Sequence, residues 1–454
     1  MPFQTEHFKA QADQALGDKA LQEALSRACG HIGRMRTKAF QELPEAEALR
    51  DQAHRIKSEV MDRLDSYLEQ LETSSQTLGV KVHRSPDAED ACHYILDLIR
   101  LRGISLVVKS KSMTTEEIGL NRELEKSRIQ VWESDLGEFI VQLAGESPSH
   151  IIVPAIHKSQ KEIAELFSKK LGVPLYDTPE ELTQAAREFL REKYFQAGMG
   201  ISGANFALAK TGTLVIVENE GNARLCTTLP RLHVVVMGIE KVIPGLSELV
   251  VFLKLLARSA TGQKLSAYMS FLQGPGRTAE EDGPEEIHLV LLDNGRSKIL
   301  HDLELRPSLF CLRCGACLNV CPVYQRIGGH AYGWVYGGPI GATIVPQYLG
   351  LLRAKDLPMA STLCGACAEV CPVRIPIPDL LLKLRQRILE QGGISFYEQT
   401  FMNLWAFSQT HPFWYRTLVS LAQKGGRTFP KLLPEGVTFP NKTFHQWWHD
   451  ENPD

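Results

Sequence analysis

A chain of 454 residues, 44% of them hydrophobic, can bury at least two cores, so two or three domains are expected. Its formal net charge of -3, with both signs spread along the chain, gives no electrostatic ground for nucleic-acid binding or for capture by an acidic membrane surface. The N-terminal Met1-Pro-Phe-Gln-Thr-Glu-His7 has no basic stretch ahead of an apolar core, and the longest apolar runs, such as Val234 to Ile239, are too short to cross a bilayer. The expected location is the cytoplasm, at most peripheral to an inner membrane.

Residues 1–78 read as an N-terminal helical arm or cap, because Leu49, Ala53, Ile56, Val60, Leu64, Tyr67 and Leu71 recur at helical spacing among charges. Residues 79–305 alternate β-branched runs with helical stretches. Ile104–Val108, Ile151–Val153, Thr213–Val217, Leu232–Val236 and His288–Leu292 are predicted strands, and Glu162–Leu171 and Glu180–Tyr194 predicted helices. That rhythm predicts an α/β domain with a largely parallel sheet. Gln273–Glu286, rich in Gly, Pro and acids, is predicted as an exposed loop or hairpin tip. Residues 306–390 form a cysteine-rich domain, and residues 391–454 an aromatic-rich helical tail. Its Phe396, Tyr397, Phe401, Trp405, Phe413, Trp414, Tyr415, Trp447 and Trp448 are expected to pack on the rest of the protein rather than to bind a partner or quinone.

Gly198-Met-Gly200-Ile-Ser-Gly203 fits the dinucleotide pattern G-x-G-x-x-G, but its context is wrong. A helical stretch precedes it where the fingerprint needs a strand. Lys210-Thr-Gly-Thr213 and Asn219-Glu-Gly-Asn222 flank a predicted strand, and Glu218, Glu220 and Arg224 suit either a site or an ordinary hairpin rim.

Seven of the ten cysteines fall between Cys311 and Cys371, which in a reducing compartment favours metal ligation over disulfides. Cys311-Leu-Arg-Cys314-Gly-Ala-Cys317-Leu-Asn-Val-Cys321-Pro322 matches the bacterial ferredoxin run at every position. In the second run, Ser361-Thr-Leu-Cys364-Gly-Ala-Cys367-Ala-Glu-Val-Cys371-Pro372, serine stands where the first cysteine belongs. By the crossed logic of two-cluster ferredoxins, Cys311, Cys314, Cys317 and Cys371 complete one 4Fe-4S cluster, leaving Cys321, Cys364 and Cys367 for a second. The fourth ligand of that second cluster is Ser361, water or a substrate atom, or the cluster is 3Fe-4S. Zinc also accepts four cysteines but rarely this spacing. Cys29, Cys92 and Cys226 are read as buried small hydrophobes.

Between the runs, Ile327–Gly341 holds too many glycines for a regular helix or strand and is predicted to wrap a neighbour. His330, Tyr332 and Tyr336 could line a cluster or a docking surface, although a cover without chemistry is the simpler role. No residue is singled out as catalytic.

Gly200-Ile-Ser-Gly-Ala-Asn-Phe-Ala-Leu-Ala-Lys-Thr-Gly-Thr-Leu-Val-Ile-Val-Glu-Asn-Glu-Gly-Asn222, Leu229-Pro-Arg-Leu-His233 and Glu240-Lys-Val-Ile-Pro244 resemble the LUD domain. With the cysteine runs and Gly328-Gly-His-Ala-Tyr-Gly333, the chain resembles the LUD-domain iron-sulfur proteins of the lactate utilisation protein B family. The resemblance implies a NagB/RpiA/CoA-transferase-like α/β domain and a ferredoxin-like α-helical domain with two 4Fe-4S clusters. It implies Cys311, Cys314, Cys317, Cys321, Cys364, Cys367 and Cys371 as ligands, and electron transfer in L-lactate oxidation to pyruvate. It also implies two partners, a cysteine-rich-repeat subunit and a second LUD-domain subunit. Two other readings compete: a carboxylate- or thioester-binding enzyme on the LUD domain, and the iron-sulfur subunit of another 2-hydroxy-acid or glycerol 3-phosphate dehydrogenase.

Overall fold

The computed structural model describes residues 4–276, 283–393, 396–428, 442 and 444–452. Two compact units divide the chain, Met1–Arg387 and Ile388–Asp454. The first opens with four helices, α1 (Phe8–Leu16), α2 (Lys19–Gln41), α3 (Ala46–Asp62) and α4 (Leu64–Thr77). The periodic residues Leu49, Ala53, Ile56, Val60, Leu64, Tyr67 and Leu71 are all buried, as residues sharing one helix face should be. They join Val242, Leu249, Leu309 and Leu318 in one apolar cluster, so the N-terminal helices share a core with the strands and the cysteine-rich segment.

Ten strands follow: β1 (Lys81–Ser85), β2 (Leu106–Lys109), β3 (Gln130–Glu133), β4 (Met199–Ser202), β5 (Phe206–Leu208), β6 (Thr213–Glu218), β7 (Leu232–Gly238), β8 (Val242–Ile243), β9 (Tyr268–Leu272) and β10 (Glu286–Leu292). Six form a sheet in the order β1-β10-β7-β4-β2-β3, with every neighbouring pair parallel. Alternate residues serve opposite faces. Val107, Val234, Val236 and Val290 meet Ile95 and Ile99 on one side, while Leu106 and Val108 meet Phe139 and Phe167 on the other. Burial of both faces explains why β2, β7 and β10 read as near-continuous apolar runs.

The remaining strands form a second sheet, β8-β5-β6-β9, with antiparallel β5-β6 and β6-β9 pairs. The predicted Thr213–Val217 strand belongs here and not to the parallel sheet. Ile151–Val153 is not a strand, because the N–H groups of Ile152 and Val153 donate to His150 Nδ1 at 3.0 and 3.1 Å instead of to a neighbouring strand. The predicted helices lie within Gln160–Leu171 and Pro179–Gln196, each opened by a capping box, Ser159 with Glu162 and Thr178 with Glu181. Gln273–Glu286 joins β9 to β10, strands of different sheets, so it is not a hairpin tip; its residues 277–282 lie outside the described residues.

In the second unit, the helices Phe396–Thr410, Pro412–Thr428 and Phe444–Glu451 carry the aromatic residues of the tail. Among the described residues, no helix is long and apolar enough to cross a membrane.

Candidate iron-sulfur centre

The two cysteine runs fold alike. In the first, Arg313 and Gly315 take φ of 60° and 73° before the short helix Ala316–Asn319; in the second, Leu363 and Gly365 take 54° and 85° before Ala366–Glu369. Left-handed backbone at non-glycine residues costs about 1–2 kcal/mol each, and such strain persists where the surroundings over-determine it. The turn aims backbone N–H groups at the ligand atoms. Arg313 N–H donates to Cys311 Sγ at 3.3 Å, Tyr324 N–H to Cys321 Sγ at 3.5 Å, and Ile375 N–H to Cys371 Sγ at 3.3 Å. Leu363 N–H donates to Ser361 Oγ at 3.1 Å, so the serine hydroxyl occupies the place that Cys311 holds in the first run.

All ten cysteines are free thiols. Burial first, with the Cys311 and Cys371 thiols behind it, pushes Cys314 up to about 12 against the Ala316 N–H. Burial likewise raises Cys317, with Cys311, Cys314 and Cys371 repelling it ahead of Cys367. Burial first, with Cys321 and Cys364 behind it, pushes Cys367 up to about 11. Cys364 is exposed, and its thiol is lowered by the Ala366 N–H and the Thr362 side chain. Seven thiols in two short runs, with backbone N–H donors at Cys311, Cys321 and Cys371, fit iron-sulfur ligation.

Helices α2 and α3 hold the second run through its carbonyls. Arg50 Nε donates to Cys371 O at 3.1 Å and its Nη2 to the same oxygen at 3.0 Å, with a further bond to Glu369 O. Arg36 Nη2 donates to Val370 O at 2.9 Å, and His54 Nδ1 lies 3.0 Å from Val373 O. Sequence reasoning passed over these residues. The available signal was a cation on an apolar face: Arg50 and Lys57 share the buried side of α3 with Leu49, Ala53 and Ile56.

The first run is tied to the parallel sheet instead. Lys241 Nζ donates to Cys311 O at 3.3 Å. Buried Arg296 bonds Glu117 bidentately at 2.8 and 2.9 Å and Glu240 at 2.6 Å, while Lys57 donates to Glu240 O. Burial alone raises Glu240, but Arg296, Lys241 and Arg313 outweigh it and hold the carboxyl at about 2.

The glycine-rich segment contributes to this packing. Tyr332 and Tyr336 are fully buried; Tyr336 Oη donates to Glu117 at 2.7 Å, and the Arg313 guanidinium lies 4.4 Å from its ring centre. Exposed His330 contacts Ser147 O at 2.7 Å. A Cβ on Gly329 would sit 1.8 Å from Ser149 O, so the segment wraps as closely as expected. One part differs: Gly338–Leu349 is helical, because Pro339 sits in its first turn, where a missing N–H costs nothing.

Other singled-out residues lie elsewhere. Gly198–Gly203 runs along β4, and Gly200 is needed because a Cβ there would meet Cys226 O at 1.9 Å. Glu218 accepts from Ala223 and Arg224 N–H at 2.7 and 2.8 Å, capping the helix Asn222–Thr228. Cys29, Cys92 and Cys226 are buried in apolar clusters. Two cavities adjoin the α/β part. The larger, about 1090 Å³, has Glu116, Glu117, Glu133 and Glu138 on its wall; the smaller, about 220 Å³, is lined by Lys111, Lys241 and Arg313 among others.

Comparison with known proteins agrees with both parts of this structure. Residues 68–292 match the LUD domain, and residues 308–375 match the 4Fe-4S dicluster domain. The "Uncharacterized electron transport protein YkgF" of Escherichia coli (strain K12) is 46% identical over 405 residues, covering 89% of this chain and 85% of that protein. Lactate utilization protein B of Bacillus velezensis is 44% identical, covering 92% and 88%, and that of Bacillus subtilis (strain 168) is 45% identical, covering 87% and 82%. Identity at this level over nearly the whole chain places the protein in the lactate utilization protein B family of LUD-domain iron-sulfur proteins.

Proposed function

We infer that this chain is the iron-sulfur electron-transfer subunit of a complex that oxidises L-lactate to pyruvate. The observation that carries the reading is the pair of cysteine runs folded into matching left-handed turns, and the names of its relatives support it. In this reading Cys311, Cys314, Cys317 and Cys371 hold one 4Fe-4S cluster, and Cys321, Cys364 and Cys367 hold the other with Ser361. Bound clusters of this kind take up and release one electron at a time.

The chain's own residues set the conditions for that relay. Arg36, Arg50 and Lys241 bring positive charge to the carbonyls beside the thiols, which favours the more negative reduced state. Burial of Cys314, Cys321, Cys367 and Cys371 keeps water from the ligands, while exposed Cys364 gives the second set an edge accessible to a partner. Oxidation of lactate to pyruvate releases two electrons and two protons, so electrons leave the substrate as a pair and cross this chain singly. The partners of this reading are a cysteine-rich-repeat subunit like lactate utilization protein A and a second LUD-domain subunit like protein C. The parallel sheet covered on both faces supports relating the α/β part to NagB/RpiA/CoA-transferase folds.

Anaerobic dye reduction driven by L-lactate tests the relay. Activity is expected from the three-subunit mixture and not from this chain alone. Equal activity of the isolated chain rejects the reading.

A further inference from the structure

The smaller cavity lies where an α/β fold places ligands, outside the carboxyl ends of parallel strands. Ser110–Thr114 follow β2, Gly203–Asn205 follow β4, and Lys241 follows β7; all of these border the space. Leu312 and Arg313, which stand between Cys311 and Cys314, border it too. One cavity therefore touches both the parallel sheet and the first cysteine run.

Its wall is suited to an anion. Lys111, Lys241 and Arg313 approach it from three separate segments, and the last two are largely buried. Among the described residues, Arg313 Nη1 is buried with no hydrogen-bond partner. Three acids share the wall, each accepting a backbone N–H. Asp135 accepts Glu138 N–H at 3.1 Å, Glu218 caps its helix, and Glu220 accepts Asn219 N–H at 3.1 Å. Ser112 Oγ accepts Thr115 N–H at 3.3 Å and keeps a proton to donate. Gly203 leaves room beside it, since a Cβ there would come within 2.8 Å of Ser112 Oγ.

We propose that this cavity binds a small 2-hydroxy- or 2-oxocarboxylate, with Lys111, Lys241 and Arg313 receiving the carboxylate and Ser112 bonding the oxygen at carbon 2. The volume of about 220 Å³ admits a three-carbon acid and excludes nucleotides and thioesters of coenzyme size. The larger cavity is a poor alternative for an anion, because six glutamates line it. The assignment rests on the lactate-oxidation reading only for the identity of the acid, and it requires binding alone, with no electron transfer.

Anaerobic calorimetric titration of the cluster-loaded full chain with L-lactate, pyruvate and propionate tests it. L-Lactate and pyruvate are expected to bind, and propionate, which lacks an oxygen at carbon 2, to bind at least tenfold more weakly. Lys111→Met should weaken lactate binding at least tenfold with unchanged iron content and absorption spectrum, and Lys111→Arg should restore part of the affinity. Ala204→Met, which fills the cavity from its border, should abolish binding in a chain that keeps its circular dichroism spectrum. No binding of any of the acids to the wild-type chain, or undiminished binding by Lys111→Met and Ala204→Met, overturns the proposal. Lactate binding without relay in the three-subunit mixture leaves the cavity assigned and rejects the electron-transfer reading instead.

Discussion

The backbone N–H of Leu363 donates to Ser361 Oγ at 3.1 Å, as that of Arg313 donates to Cys311 Sγ at 3.3 Å. The left-handed turns that set these contacts match in φ, 54° and 60°. The chain builds the same turn around an oxygen where its other cysteine run holds sulfur. Arg385 steadies the segment, with Nε on Pro358 O at 2.9 Å and Nη2 on Ser361 O at 3.2 Å.

Ser361→Ala should therefore destabilise the fourth iron of the second cluster. After mild oxidation, iron content is expected to fall from ~8 to ~7 per chain, with the EPR signal of a 3Fe-4S centre. Ser361→Cys should retain all the iron under the same treatment. Unchanged iron and EPR in the alanine variant would remove Ser361 from the ligand set.

Cys314→Ala strikes the set of four. Loss of about half the iron is expected, with Cys321, Cys364 and Cys367 still able to assemble the other cluster. Anaerobic iron and sulfide quantification checks this, and loss confined to the second set's signals contradicts the crossed pairing.

Arg50→Ala leaves the buried carbonyls of Glu369 and Cys371 without their cationic donor. A loss of about 3 kcal/mol in unfolding stability is expected, together with a more negative reduction potential for the cluster that includes Cys371. Denaturant titration and potentiometric EPR measure the two effects. A stability loss with no change in potential assigns Arg50 to the fold alone.

His150 makes the protein acid-sensitive. Burial first and Lys111 second lower its pKa to about 3, against the opposing hydrogen bond to Asn319. Its ring holds Ile152 and Val153 N–H and lies beside Gly315 of the first run. A depressed folded value means that the neutral ring stabilises the fold above about pH 6.5 and that this contribution is lost as pH falls toward 3. At pH 5 the loss is about 2 kcal/mol. Unfolding midpoints measured between pH 7 and 5 should fall less steeply in His150→Asn than in the parent chain.

Much of this was legible beforehand because it is local. Two-residue spacings between cysteines force neighbouring thiols toward one centre, and helical period put Leu49 through Leu71 on a buried face. Long β-branched runs marked β2, β7 and β10, whose strands are covered on both sides. Short or charged strands gave little such signal; β1, Lys-Val-His-Arg-Ser, lies at the sheet edge with mostly accessible residues. Ile151–Val153 had strand composition, yet an imidazole took the N–H groups that a neighbouring strand would have needed.

The candidate ligand thiols follow from sequence alone, since coordination chemistry is written in residue type and spacing. Only the tertiary structure decided what surrounds them. Arg36, Arg50, Lys241 and Glu240 reach the runs from positions tens to hundreds of residues away, because burying a charge requires a partner wherever the fold brings one. The carboxylate cavity belongs to the same class: its cations come from three segments that no spacing relates, and they meet only where the parallel strands end beside the first cysteine run.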